Sequence, residues 1–340
     1  MATVASRAVG MLDTRPITIR APEAQLLTTT DWQARSLAHL ERAQRWTLPH
    51  KERRSRHEAH PVHDFLFQYY KYSPGKIETW HPAPTESLVE SPDGRERFGP
   101  PEYRAADGVI RRDPHALSVE GRDQLSTVVN VLSTTQSRPA NFGCYGVHEW
   151  AMIYGGHDIR HAGVAPLRLS QQEVDRFVES RPVACSHFDA YRFFAPEAKP
   201  LNRIELEWSI RHDMEQPGCI HANMDLYRWA YTAMPWIGSG LLLDCFELAA
   251  ELRVLDMQAS PYDLRELGFD PVEVETTEGR SEYQRRQREL SERAAGLRAE
   301  LIAVVEEVLS AACAVGSDLP SPVCRRRAAR SASPTHQLRT

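Results

Sequence analysis

Apolar positions along the chain recur mostly with a helical period. From Arg280 to Cys313, Leu290, Ala294, Leu297, Leu301, Val304, Val305 and Val308 fall on one stripe, with Arg and Glu filling the other face. This is the longest predicted helix, over 280–313. A second stripe, with Leu125, Val128, Val129 and Leu132, predicts a helix over 119–135. Ser170 followed by Glu173 is a capping-box start for a helix to about Glu179. Thr30 with Gln33 predicts another, running to about Trp46, and the charged run 51–56 reads as a connector after it. The stretches 222–233 and 237–255 are apolar nearly all round and read as buried helices. The aromatic run 63–70 reads as a buried helix ended by Ser73, Pro74 and Gly75, and 147–154 as a further helix. Residues 102–104 and 108–111 read as short strands, and Val183 and its neighbours as an extended piece.

These elements predict a mostly helical α+β fold. A weakly ordered N-terminus over 1–28 precedes a single globular domain over 29–315, which contains a small β part. The segment 316–340 carries five Arg against Asp318 alone, is rich in Ser, Pro and Ala, and reads as a disordered basic tail. The 340 residues are 41 % hydrophobic and 26 % charged, enough for a large core. No run of about eighteen apolar residues appears, which argues against a membrane span. Six scattered cysteines without a CxxC pair read as reduced, buried thiols, and with no signal-like start this gives a cytoplasmic expectation. The net charge of −5 weighs against a chain built to lie on a phosphate backbone, whereas the basic tail weighs slightly for it.

Side chains of catalytic type concentrate between 143 and 229. Cys144, His148 and Glu149 lie in the first stretch, followed by His157 and His161. Cys185, His187, Asp189, Tyr191 and Phe194 form a second stretch, and Cys219, His221, Asn223, Asp225, Tyr227 and Trp229 a third. His221 and Asp225, four apart, share one face of a helix. If the 187–189 segment is extended, His187 and Asp189 point the same way. An HxD pair with a distant His is the ligand type of a 2-His-1-carboxylate iron site, with His221 or His148 as the third ligand. His157 and His161, without the glutamate of an HExxH motif, read as a surface loop. No phosphate-binding glycine loop and no serine-nucleophile elbow is present.

Several of these pieces together are similar to an actinobacterial family labelled 3-methyladenine DNA glycosylase. They are HPVHDFLFQYY at 60–70, WHP at 80–82, GCYGVHEWAMIY at 143–154, CSHFDAYRFF at 185–194, EQPGCIHANMDLYRWAY at 215–231 and LLLDCFELAAELRVLDMQASPYDL at 241–264. Arg228 stands where the family's segment carries Lys, so no amine role is carried over. The resemblance implies release of alkylated purines from DNA. An extruded base would stack on Tyr191, Phe194, Tyr227 and Trp229, and Asp225 or Asp189 would act as the carboxylate, oriented by His221 or His187. The residues themselves leave two other readings open. One is a metal-dependent enzyme acting on a small molecule, with iron or zinc on His187, Asp189 and His221 and with His148 and Glu149 beside it. The other is a binding protein without turnover.

Overall fold

The computed structural model describes residues 25–156, 163, 165–181 and 183–313. The predicted basic tail, most of the predicted N-terminal segment, and His157 and His161 lie outside the described residues. Within them the chain is mostly helical with a four-stranded sheet, as the patterning predicts.

Strand β1 (Gln25–Leu27) leads into α1 (Thr29–Ser55). The 1–28 expectation is therefore corrected at its end, because 25–27 is paired strand. Helix α1 is capped by Thr28 and Asp31, two residues before the predicted box, and it absorbs both Pro49 and the predicted charged connector. The aromatic run forms only a short α2 (Phe65–Tyr69), and Ser73-Pro74 opens α3 (Pro74–Glu78) instead of ending a helix. Strand β2 (Glu86–Val89), α4 (Pro92–Arg97), β3 (Tyr103–Ala106) and β4 (Val109–Arg112) complete the sheet region.

The sheet order is β1-β2-β4-β3, with β1 parallel to β2 and the other pairs antiparallel. Register aligns Leu27 with Leu88 and Leu88 with Ile110, so one face carries a buried apolar row. Trp32, Trp80, Phe98 and Tyr103 pack with that row as a small separate core.

The larger core is helical. Its elements are α5 (Val119–Ser137), α6 (Val147–Met152), α7 (Gln171–Glu179), α8 (Phe188–Tyr191), α9 (Arg211–Met214), α10 (Ile220–Thr232), α11 (Ser239–Gln258) and α12 (Thr277–Cys313). Helices α10 and α11 pack closely on each other, and α12 crosses both and α5. The capping box predicted at Ser170 and Glu173 is present on α7. Val183 forms an isolated bridge with Asn202 in place of a strand. No described helix is long and apolar enough to cross a membrane.

Candidate metal centre

Four segments bring acidic, imidazole and thiol groups together inside the helical core. The first is the turn before α6, where Tyr145 and Gly146 take left-handed backbone. Gly146 has φ +72° and packs so near Ala259 that an added Cβ would lie 3.1 Å from its side chain. That close approach seats α6 against α11 and buries His148 and Glu149.

The second segment is α11. Its residues are apolar almost all round, yet Arg253 and Asp256 are fully buried within it. The Nε2 atom of His148 lies 2.6 Å from Asp256 Oδ1. Arg253 Nη1 donates to Asp256 Oδ2 and to Glu149 Oε1, each at 2.7 Å. Both oxygens of Asp256 are thus engaged. Burial works against a charge on His148, but the adjacent Asp256 outweighs it and raises the imidazole pKa. Burial also opposes charge on Asp256, while His148 and Arg253 hold its carboxyl well below the usual range.

The third segment is 185–189. Asn202 clamps it, accepting from the Cys185 N–H at 2.8 Å and donating to the Cys185 carbonyl at 3.0 Å. His187 follows and caps the short α8, so the segment is not extended. This corrects the expected His187–Asp189 pair. Two residues on, Asp189 turns away to Arg192 at 2.9 Å and Arg228 at 3.6 Å. The set His187, Asp189 and His221 is therefore not assembled as one ligand group.

The fourth segment is the start of α10, reached over Gly218, whose Cα side lies against Asn141. A Cβ there would meet the Asn141 carbonyl oxygen at 2.6 Å. His221 and Asp225 do share a face of α10, as their spacing predicts. The His221 ring stands between two others, with centroids 4.4 Å from His148 and 5.3 Å from His187. Burial, then the neighbouring His148, drives the His221 pKa well below its ordinary value, which favours the neutral ring. Asp225 Oδ1 accepts from the Tyr70 hydroxyl at 2.6 Å, and Asp225 Oδ2 faces His187 Nε2 at 3.4 Å. Asn223, on the other side of the helix, accepts from Arg298.

Two groups of three donors therefore form, each with its atoms within 4.8 Å of one another: His148, His221 and Asp256, and His187, Glu215 and Asp225. They differ in how occupied their donors already are. In the first, Asp256 is spent on His148 and Arg253, so it orients the imidazole as an outer partner does in metal sites. In the second, Tyr70 fixes one oxygen of Asp225 and leaves the other facing His187, while Glu215 Oε1 lies 3.1 Å from His212 Nδ1. Two ligands each about 2.0–2.2 Å from one ion sit roughly 3 Å apart, which the 3.4 Å gap matches. The other ring nitrogen of His187, Nδ1, is buried and has no partner.

Of the predicted aromatic platform, Tyr227, Phe194 and Trp229 are buried in the core and Tyr191 is half-buried against it. Tyr227 meets Tyr70, Tyr72 and Phe246 edge-on at 5.0–5.5 Å, which is packing among core rings. Trp229 packs edge-on to His212 at 5.7 Å. Residue patterning missed Tyr70, Glu215, Arg253 and Asp256. For the last two a signal existed, since charges embedded in an apolar helix are rarely buried unless paired.

Among the described residues Cys144, Cys185, Cys219 and Cys245 are free thiols, as expected. Cys313 is disulfide-bonded, unlike the reduced state expected for it. Comparison with known protein families, with curated proteins and with solved structures finds no match for this chain.

Proposed function

We propose that this chain is a metal-dependent enzyme acting on a small molecule, with an iron or zinc ion held by His187, Glu215 and Asp225. The observation that carries this reading is the second donor group, in which one donor atom from each of three buried residues lies within 4.8 Å of the others. A cation there would add to the counter-charge that His187 and His212 already give these two buried carboxylates. Three protein donors also leave coordination positions for water or substrate, the arrangement of catalytic rather than structural ions. An ion there supplies Lewis acidity or a water of lowered pKa. Tyr70 holds Asp225 in orientation, His221 stands beside His187 as a neutral base, and Arg228 lies 3.9 Å from Asp225 to attract an anionic group. Burial of the group, and the acidic net charge, favour a small substrate over duplex DNA.

The glycosylase reading needs a carboxylate and a stacking platform. Asp225 serves the first need, but three of the four candidate rings are committed to the core. Elemental analysis separates the readings. A single iron or zinc ion per chain is expected, lost in His187→Ala and in Asp225→Ala. A metal-free protein that releases free base from alkylated DNA, and loses that activity with Asp225→Asn, would overturn the proposal and restore the glycosylase.

A further inference from the structure

Between Cys144 and His148 the backbone reverses, because Tyr145 and Gly146 take left-handed conformations with φ +49° and +72°. A tyrosine rarely adopts that conformation, and such residues gather at functional sites. Across the reversal, Cys144 Sγ stands 3.7 Å from His148 Nδ1. On the far side of the ring, His148 Nε2 lies 2.6 Å from Asp256 Oδ1. His148 and Arg253 keep Asp256 ionised, so its carboxylate accepts and Nε2 carries the hydrogen. The lone pair of Nδ1 is left facing the sulfur. A thiol, an imidazole and a carboxylate thus stand in sequence, the order of a nucleophile, its base and the group that orients the base. Asp256 also raises the imidazole pKa, which makes the ring a stronger acceptor for the thiol proton.

The other free thiols are placed differently. Cys185 and Cys245 are buried, while Cys144 and Cys219 are half-buried. Burial pushes the Cys219 thiol up to about 12 and raises Cys245 as well. The thiolate is the reactive form, so these two stay inert near neutral pH. Of the four, Cys144 has its sulfur against an imidazole nitrogen.

Cys144 and His148 line a small cavity, with about 10 Å³ open to the centre of a water-sized sphere, room for about one water. Two polar atoms of residues lining it have no partner. One is the Tyr283 hydroxyl, which is fully buried, and burial holds its proton on by raising its pKa. The other is the side-chain oxygen of Gln287, on the next turn of α12. Such atoms are rare inside proteins unless something unseen satisfies them. The cavity therefore offers one donor and one acceptor to a group of about one oxygen. An acyl group with its substituents is too large for it. The hydroxyl end of a hydroperoxide has the right size and both donates and accepts.

We propose that Cys144 is a thiol built to be oxidised by hydroperoxides, with His148 as its base and Asp256 as the residue that positions His148. His148 Nδ1 takes the thiol proton, and the sulfur attacks the terminal oxygen of the peroxide. A sulfur–oxygen bond forms as the oxygen–oxygen bond breaks. The leaving oxygen takes the proton back from His148. One thiol and one hydroperoxide thus give one sulfenic acid and one alcohol, or water where the oxidant is hydrogen peroxide. Sulfur is oxidised and the peroxide oxygens are reduced. The step uses none of His187, Glu215 and Asp225, so it stands or falls separately from the ion proposed above.

The test exposes the full chain to hydrogen peroxide at neutral pH with dimedone, which traps sulfenic acids, and locates the adduct by mass spectrometry. The Cys144 adduct is expected to form roughly a hundredfold faster than that of free cysteine, the scale of a positioned base. Cys219 and Cys245 should stay unlabelled over the same time. Cys144→Ser should give no adduct, and Cys219→Ser and Cys245→Ser should react as the wild type does. His148→Gln and Asp256→Asn should slow the reaction, and Asp256→Asn should regain rate at alkaline pH, where the thiol ionises without a base. A variant that merely unfolds would instead label every thiol, and the wild-type rate then decides by itself. His187→Ala should still give the Cys144 adduct even where it loses an ion, which separates the two sites. A wild-type rate no greater than that of free cysteine, or labelling of Cys219 or Cys245 ahead of Cys144, would overturn the proposal.

Discussion

The sheet region and the helical region solve burial in opposite ways. In the sheet region Leu27, Leu88 and Ile110 align across three strands and close against Trp32, Trp80 and Phe98. Most polar groups there find partners, as when Arg97 donates to the Trp80 carbonyl at 2.9 Å and His81 Nδ1 lies 2.8 Å from the Tyr103 hydroxyl, although the buried Trp32 Nε1 has none. In the helical region His148, His187, Glu149, Glu215, Asp225, Arg253 and Asp256 all lie inside. A hydrophobic arrangement of equal volume would often be as stable or more so. The difference teaches that the sheet closes over an apolar row, whereas the helical interior is built around buried charges that pair with one another.

Two substitutions of similar size sharpen that contrast. Arg253→Met should cost about 3–5 kcal/mol, because it strands Glu149 without its buried counter-charge and leaves Asp256 with His148 alone. Trp32→Ala should cost about 3–5 kcal/mol by leaving a cavity, and should leave bound metal unchanged. Denaturant unfolding with metal analysis of the folded variants checks both. Equal metal loss in the two would break the division between regions.

A smaller effect is expected at Tyr70. Tyr70→Phe removes a hydrogen bond to a buried carboxylate and should cost about 1.5–3 kcal/mol, while weakening metal affinity by freeing Asp225. Calorimetric titration of the metal-stripped protein measures the second part. An unchanged affinity would show that Tyr70 only packs.

The smallest effect is on acid stability. Burial opposes ionisation of Asp64, but Arg53 and His50 outweigh it and lower its pKa in the folded chain. That contribution is present above the unfolded carboxylate value of about 3.9 and is lost as pH falls through the lower folded value. The thermal midpoint should therefore fall below that pH, and less steeply in Asp64→Asn. A parallel decline in the two would remove Asp64 from the account.

Helices with long stripes were legible in the sequence because α5, α7 and α12 each repeat one apolar face. Helix α1 was read short because Pro49 and the charged run looked like an end, although packing of Ala43, Thr47 and His50 carries the helix past them. Strands β1 and β2 were not read, since three or four residues hold too few alternations to declare themselves. At the site, the His221–Asp225 spacing survived because helix geometry fixes it locally. His187 and Asp189 parted because α8 begins between them. Asp256 and Tyr70 reach the cluster from segments far along the chain, and no local spacing encodes such a meeting.

The most direct test of the central claim is anomalous diffraction from crystals of the protein as purified, collected on both sides of the iron and zinc edges. A peak within bonding distance of His187 Nε2 and Asp225 Oδ2 is the predicted result. A fully occupied imidazole–carboxylate hydrogen bond at that place, with no anomalous signal between the two groups, would contradict it.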